Sequence, residues 1–357
     1  MADHLNSHST IGWHGLVGAG GRVEVAGGLS QWLAGTLATG AEPPEPYRIQ
    51  RFAPVAAIDG GERPITVDQT NRSVIVGERL VVKWFLEPGP PPHRAPDLLG
   101  HLAAVGFAHT ARPYAAVYWQ DRLIALVTGY LPKAQDGWDW CVDALMAGTE
   151  VGAGLGELAA DLHTALATGS VSSGDGAGWH QRAVDAAGEA AVLTPGDDGQ
   201  WLEFRAGELS AALRPLLDVG RTPVMRIHGD LHVGQVLKWR DGYAVIDFDG
   251  NPTLTGAEEP QPAARDVAQL LTSLEHVGQI AIKRREAAPV AVADWVRSAR
   301  RDFLEAYTAG LGGLEIFDRR LLRAFEVEQE CRELIYAARF LPRWTYAPMG
   351  VLRRWFG

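Results

Sequence analysis

Residues 226–252 read RIHGDLHVGQVLKWRDGYAVIDFDGNP, setting His228, Asp230, His232, Gln235, Asp247 and Asp249 among apolar runs such as QVL and YAVI. Polar groups flanked by strand-like hydrophobics are costly to bury unless something binds them. Asp241-Gly242 is a hairpin signal, because tight two-residue turns favour residues that accept positive φ. Zipping the flanking strands from that turn pairs Arg240 with Tyr243, Trp239 with Ala244 and Val236 with Asp247. The Gln235 amide oxygen and the Asp247 carboxylate then meet at the open end, and Asp230 sits in the loop that enters the hairpin.

That grouping has a chemical use. Mg²⁺ takes hard oxygen ligands, commonly one or two protein groups completed by phosphates and waters. Phosphoryl transfer also needs a carboxylate beside the acceptor hydroxyl to orient it and take its proton. Gln235 and Asp247 are therefore read as metal ligands, Asp249 as a further one and Asp230 as the base. The order His228, Asp230, Gln235, Asp247 also follows the kinase catalytic loop, with Gln in place of the usual Asn. The competing reading is a surface turn whose side chains only cap the backbone; four matching positions and the hairpin outweigh it. His228 is assigned to scaffolding, His232 to packing, and the acid of Arg265-Asp266 to holding the loop backbone.

The elements around this hairpin fall into two groups. Residues 71–84, NRSVIVGERLVVKW, read as a hairpin around a Gly-Glu turn, and 115–119 with 122–130 as a second strand pair. EPGPPPHRAP (87–96) is a loop that leads into a short amphipathic stretch at 97–107. The segments 144–169, 199–219, 264–282, 294–311 and 319–341 place apolar residues at i, i+3, i+4 and read as helices. The first fifty residues suggest glycine-rich strands. The expected fold is α+β and bilobal, with a β-rich lobe over 1–130 and a mainly helical lobe over 131–357 sharing a cleft.

HGDLHVGQVL with AVIDFDGNP resembles the catalytic region of the bacterial maltokinases and the wider aminoglycoside-phosphotransferase-like kinases. The resemblance extends to the NRS…VG…VVKWF hairpin, DGWDW (136–140), RDVAQLL and FEVEQECRELIYAARFLPRW. It implies a protein-kinase-like fold, ATP and Mg²⁺ as cofactors, and the roles given above for Asp230, Gln235, Asp247 and Asp249.

On the nucleotide side, Lys83 stands where the kinase strand lysine clamps the phosphates, with Asp97 the candidate acid that holds it. There is no GxGxxG loop; VDQTNRSVIVG offers Asn71, Ser73 and a turn to cover the phosphates. LVTGYLP (126–132) sits at the hinge position, where backbone groups would read the adenine. On the acceptor side, Glu326, Gln329 and Glu333 share a face of the last long helix, with Arg332 and Tyr336 beside them and Trp344 just beyond. Glu328, Gln329, Arg332, Glu333, Tyr336 and Trp344 form the expected sugar set. Maltokinases carry a similar helix, approximately F-E-L-D-K-A-x-Y-E-x-x-Y-E. Here Glu328-Gln329 replaces Asp-Lys and Arg332 replaces Tyr. The chain is also shorter than the usual maltokinase in its N-terminal region, and such shortened, maltokinase-like chains resemble the bacterial glucosamine kinases. Losing a lysine while keeping Glu328 and Glu333 suits an acceptor with an ammonium group. The expected acceptor is glucosamine, phosphorylated at the 6-hydroxyl, ahead of maltose at C1, an aminoglycoside, or a nucleotide-binding pseudokinase.

Composition narrows the partners. With 33 Lys+Arg against 43 Asp+Glu, the net charge of −10 disfavours nucleic acid and anionic membrane. Two cysteines, far apart, argue against a disulfide scaffold. The N-terminus is a poor signal peptide and no run suits a membrane span, so a cytoplasmic enzyme acting on small molecules is expected.

Overall fold

The computed structural model of the protein describes residues 12–65, 71–251 and 260–357. The chain divides into two units, Met1–Lys133 and Ala134–Gly357.

The first unit opens with helix α1 (Leu29–Thr39), a correction to the strands expected there. LSQWLAGTLAT puts Leu29, Leu33, Ala34 and Leu37 on one buried stripe, and the glycines belong to the helix ends, Gly28 at φ 85° and Gly40 at φ 69°. Glu62 caps the helix from a distance, accepting from the N–H groups of Gly28 at 2.5 Å and Gln31 at 2.9 Å, where the helix dipole favours an anion. Strands β1 (Tyr47–Arg51), β2 (Glu62–Pro64), β3 (Arg72–Val76) and β4 (Leu80–Trp84) follow, then helix α2 (Arg94–Ala104), β5 (Pro113–Trp119) and β6 (Arg122–Gly129). The strands make one antiparallel sheet in the order β1-β5-β6-β4-β3-β2.

The β3–β4 hairpin is the one expected, reversing through Gly77 and Glu78 at φ 56° and 52°. Alternation along β4 sends Leu80, Val82 and Trp84 into the core and turns Lys83 to the other face. The buried Trp84 indole donates to Ser30 at 2.9 Å and ties the sheet to α1. Helix α2 starts inside the proline-rich stretch, because Pro96 falls in its first turn, where a missing N–H is tolerated.

The second unit contains α3 (Gly137–Met146), α4 (Gly152–Ala167), β7 (Val171–Asp175), α5 (Ala177–Leu193), α6 (Gly196–Phe204), α7 (Ala206–Asp218) and β8 (Arg221–Met225). After these come β9 (Val236–Trp239), β10 (Gly242–Val245), α8 (Ala264–Arg285), α9 (Pro289–Gly310), α10 (Leu322–Phe340) and α11 (Tyr346–Phe356). One hairpin was expected here; β7–β8 forms a second two-stranded sheet beside β9–β10. The segment 199–219 breaks at Arg205 into two helices, and 144–169 breaks where Gly148 adopts φ 67°. Helix α5 escaped the sequence reading because its buried stripe, Trp179, Ala183, Ala186 and Ala190, is mostly small residues. Both cysteines are free and buried. Among the described residues no helix is long and apolar enough to cross a membrane.

Helix α8 is buried continuously from Ala264 to Gly278. It nevertheless carries Arg265, Asp266, Gln269, Thr272, Ser273, Glu275 and His276. Polar groups so placed must find partners inside the protein.

Candidate active site

On α8, Asp266, Gln269, Ser273 and His276 follow helical spacing and share a face. Three of them grip the loop after β8. Asp266 Oδ2 accepts from the His228 N–H at 2.7 Å and lies 3.1 Å from His163 Nε2, while Oδ1 accepts from the Gly229 N–H at 2.8 Å. His163 is backed in turn by the Tyr307 hydroxyl at 2.7 Å. Burial alone would favour the neutral acid, but the hydrogen bond and charge of His163 hold Asp266 below the usual carboxylate range. Gln269 Nε2 donates to Asp230 Oδ1 at 2.6 Å. Ser273 Oγ accepts from the Val233 N–H at 3.0 Å. The expectation that Asp266 supports the loop backbone is met by these bonds.

His228 is scaffolding, as expected. It is fully buried, its Nδ1 faces the Asp230 N–H at 3.3 Å, and its Nε2 donates to the Ile246 carbonyl at 3.0 Å. Burial pushes its imidazole below the ordinary value. His232 does more than pack: its Nδ1 accepts from the Gly234 N–H at 3.1 Å, leaving Nε2 to face Asp230 Oδ2 across 3.8 Å. Asn251 Nδ2 also donates to Asp230 Oδ1, at 3.1 Å.

The hairpin register differs from the expected one. Val236 pairs with Val245 and Trp239 with Gly242, so the turn residues are Arg240 and Asp241. The positive φ of 108° falls on Gly242, which begins the return strand. The Asp-Gly signal located the reversal but placed it one residue late. The open end survives the shift: the Ile246 N–H donates to the Gln235 carbonyl at 2.9 Å, and Asp247 is the next residue. Asp247 adopts φ 62°, a left-handed conformation that aspartate tolerates better than most side chains. Asp247 and Asp249 are exposed, while Phe248 between them is buried 4.8 Å from the His228 ring. Two carboxylates and an amide oxygen at this end are hard donors of the kind Mg²⁺ takes.

DGWDW packs against the same loop. Asp136 caps α3, accepting from the Trp138 N–H at 2.9 Å. Gly137 lies so close to the loop that a Cβ there would stand 1.6 Å from the Val233 carbonyl oxygen. Trp140 donates to the Val236 carbonyl at 2.8 Å. Trp138 stacks on His232 at 5.6 Å and meets the edge of Trp344 at 5.7 Å. Trp344 in turn donates from its indole to Glu333 Oε2 at 2.8 Å, and Gln329 Nε2 donates to Glu333 Oε1 at 3.0 Å. Trp344 also meets His276 at 5.4 Å, whose Nε2 is 2.8 Å from Glu330 Oε2. Burial pushes Glu330 up to about 7. Burial opposes the charged form of His276, but the Glu330 carboxylate holds its imidazole above the ordinary value.

The expected sugar set divides. Gln329, Glu333 and Trp344 are joined by hydrogen bonds. Glu328 and Arg332 are not part of that group: Glu328 is fully buried, accepts from Arg332 at 2.7 Å and pairs with Arg265 at 3.1 Å. Helical pitch turns residues 328 and 332 away from 329 and 333, and two guanidinium groups neutralise the acid meant for an acceptor's ammonium. Tyr336 is 40% exposed, with its ring 5.4 Å from Phe340.

In the first unit, Lys83 lies opposite Ser73 in the β3–β4 register, its ammonium 5.5 Å from the Phe85 ring centroid. Asn71 immediately precedes β3, and Asp97 is exposed in the first turn of α2. Tyr118 is raised chiefly by burial, with a contribution from the Asp97 charge. Part of the phosphate-covering turn expected from VDQTNRS falls on residues 66–70, outside the described residues.

The sequence reading missed Trp138, Asn251, Gln269 and Ser273. One signal was available: RDVAQLLTSLEH places polar residues where an apolar helix should bury hydrophobics.

Comparison with known proteins follows the same lines. Residues 61–251 match the phosphotransferase enzyme family, APH. The chain is 41% identical to a glucosamine kinase of Mycolicibacterium smegmatis over 82% of this chain and 79% of that protein. It is 39% identical to a glucosamine kinase of Streptacidiphilus jiangxiensis over 93% and 82% of the two chains. A solved glucosamine kinase in complex with glucosamine, ADP and inorganic phosphate superimposes with a TM-score of 0.82 at 36% identity, covering 95% of this chain and 86% of that one.

Proposed function

Because this chain belongs to the phosphotransferase enzyme family and is an ATP-dependent kinase, we propose that its acceptor is glucosamine, phosphorylated at the 6-hydroxyl. The likeness over most of the chain to relatives that bear that name carries the assignment. The hydrogen-bonded Gln329–Glu333–Trp344 group supports it.

Asp230 is the base. Its Oδ2 accepts the proton of the acceptor hydroxyl as that oxygen attacks the γ-phosphorus and ADP leaves. Proton transfer to a positioned carboxylate contributes roughly 10²- to 10⁴-fold. Glu333 binds the sugar's polar groups, and with Glu328 neutralised it is the acid available for the ammonium. Trp344 and Trp138 offer apolar ring surface to the sugar's C–H face. The primary hydroxyl is the least hindered on the sugar, which favours the 6-position. Lys83 binds nucleotide phosphates, held by Asp97, with Ser73 and Asn71 contributing donors. Gln235, Asp247 and Asp249 would hold Mg²⁺, which neutralises phosphate charge when bound.

ADP release measured with glucosamine, glucose, maltose, a deoxystreptamine aminoglycoside and no acceptor tests the assignment, with phosphorus NMR of the product locating the new ester. Glucosamine should give the highest kcat/KM and a 6-phosphate. A higher value for maltose or the aminoglycoside overturns the acceptor, and ADP release equal to the no-acceptor control for every sugar overturns sugar kinase activity.

A further inference from the structure

The two oxygens of Asp230 have unequal surroundings. Oδ1 receives the Gln269 amide at 2.6 Å and the Asn251 amide at 3.1 Å. Oδ2 faces His232 Nε2 at 3.8 Å, beyond hydrogen-bond reach. Gln269 makes the shorter of the two contacts, and it does so from a buried stretch of helix. It is 4% exposed and lies on α8 one turn beyond Asp266, which grips the adjoining backbone at Gly229. Ser273, a further turn along, grips Val233. The loop backbone is thus fixed on both sides of Asp230 by the helix that also holds its side chain.

We propose that Gln269 is a positioning residue for the catalytic base. It occupies Oδ1 and fixes the plane of the carboxylate, so that Oδ2 alone is presented to the acceptor hydroxyl. The proposal rests on Asp230 being the base. Without the amide, the carboxylate turns about its terminal torsion, which is soft, and both oxygens compete for the proton. A base must lie about 2.6–3.2 Å from the oxygen it deprotonates, and a misplacement of about 1 Å can cost on the order of 10²-fold. The effect of Gln269 passes through its bond to Asp230.

A double-mutant cycle separates this from a packing role. In Gln269→Leu, kcat should fall roughly 10- to 10²-fold, while the KM values for glucosamine and MgATP stay within about twofold. The isosteric Gln269→Glu keeps the volume but replaces the donor with an acceptor that repels Oδ1, and it should lose at least as much. In an Asp230→Asn background, Gln269→Leu should change the residual rate by less than about twofold, because the group it positions is gone. Wild-type kcat in both Gln269 variants, a loss carried by KM, or losses that multiply in the Asp230→Asn background would each overturn the proposal. Wild-type turnover in Asp230→Asn alone would instead remove the base assignment, and the proposal with it.

Discussion

Asp230 is surrounded by groups that are remote in sequence. Gln269 and Asn251 bond its Oδ1, and Asp266 carries the backbone before it. Asp247, by contrast, is delivered by a local hairpin and adopts a left-handed backbone. These two aspartates should therefore fail differently. Asp230→Asn should lower kcat by about 10²- to 10⁴-fold with MgATP affinity close to wild type, measured by calorimetry and initial rates. Loss of nucleotide affinity in that variant would mean that the roles of Asp230 and Asp247 are exchanged. Asp230, Gln235 and Asp247 could be selected from their spacing because the motif spans a single loop and hairpin. Gln269 could not, since no local rule specifies which residue of a helix some forty positions away will face a given carboxylate.

Helix α8 is the element on which the site is built, and α10 is reached from it through His276, Glu330 and Trp344. Both members of the His276–Glu330 pair hold their protons more tightly than they would in the unfolded chain. A carboxyl raised from about 4.3 and an imidazole raised from about 6.5 contribute stability that is complete below those values and lost as pH rises through their folded values. The thermal midpoint should accordingly fall as pH rises from about 4.3 to about 7, the range over which Glu330 gives up its raised proton, and fall less in Glu330→Gln, which cannot ionise. Equal falls in wild type and variant would show that the pair does not set this dependence. At this scale the helical periods of α8, α9 and α10 were legible. The hairpin register was misplaced by one residue per strand, because an Asp-Gly pair marks a reversal without stating which two residues form its centre. The mixed fate of 328–333 has a related cause: sequence adjacency suggested one sugar-binding group, while helical rotation made two.

Across the whole molecule, the net charge of −10 and the family to which the chain belongs point to small-molecule chemistry. Ligands that bind only the folded state stabilise it by mass action, about 2.7 kcal/mol at a hundredfold excess over Kd. MgADP with glucosamine should raise the thermal midpoint by several degrees, and maltose in place of glucosamine should add nothing to MgADP alone. An equal increment from maltose would contradict the acceptor assignment.

Read alone, the sequence determined the motif and the fold class: the acid, amide and second acid at kinase spacing, the hairpin that carries two of them, the strand-rich beginning and the helical remainder. These are short-range properties, set by backbone periodicity and by turns of a few residues. Tertiary structure decided which helix face holds Asp230, that Glu328 and Arg332 satisfy each other with Arg265, and that Trp138 stacks on His232. Each of those outcomes depends on which buried polar groups find one another across the fold, and that matching is made only when the chain is packed.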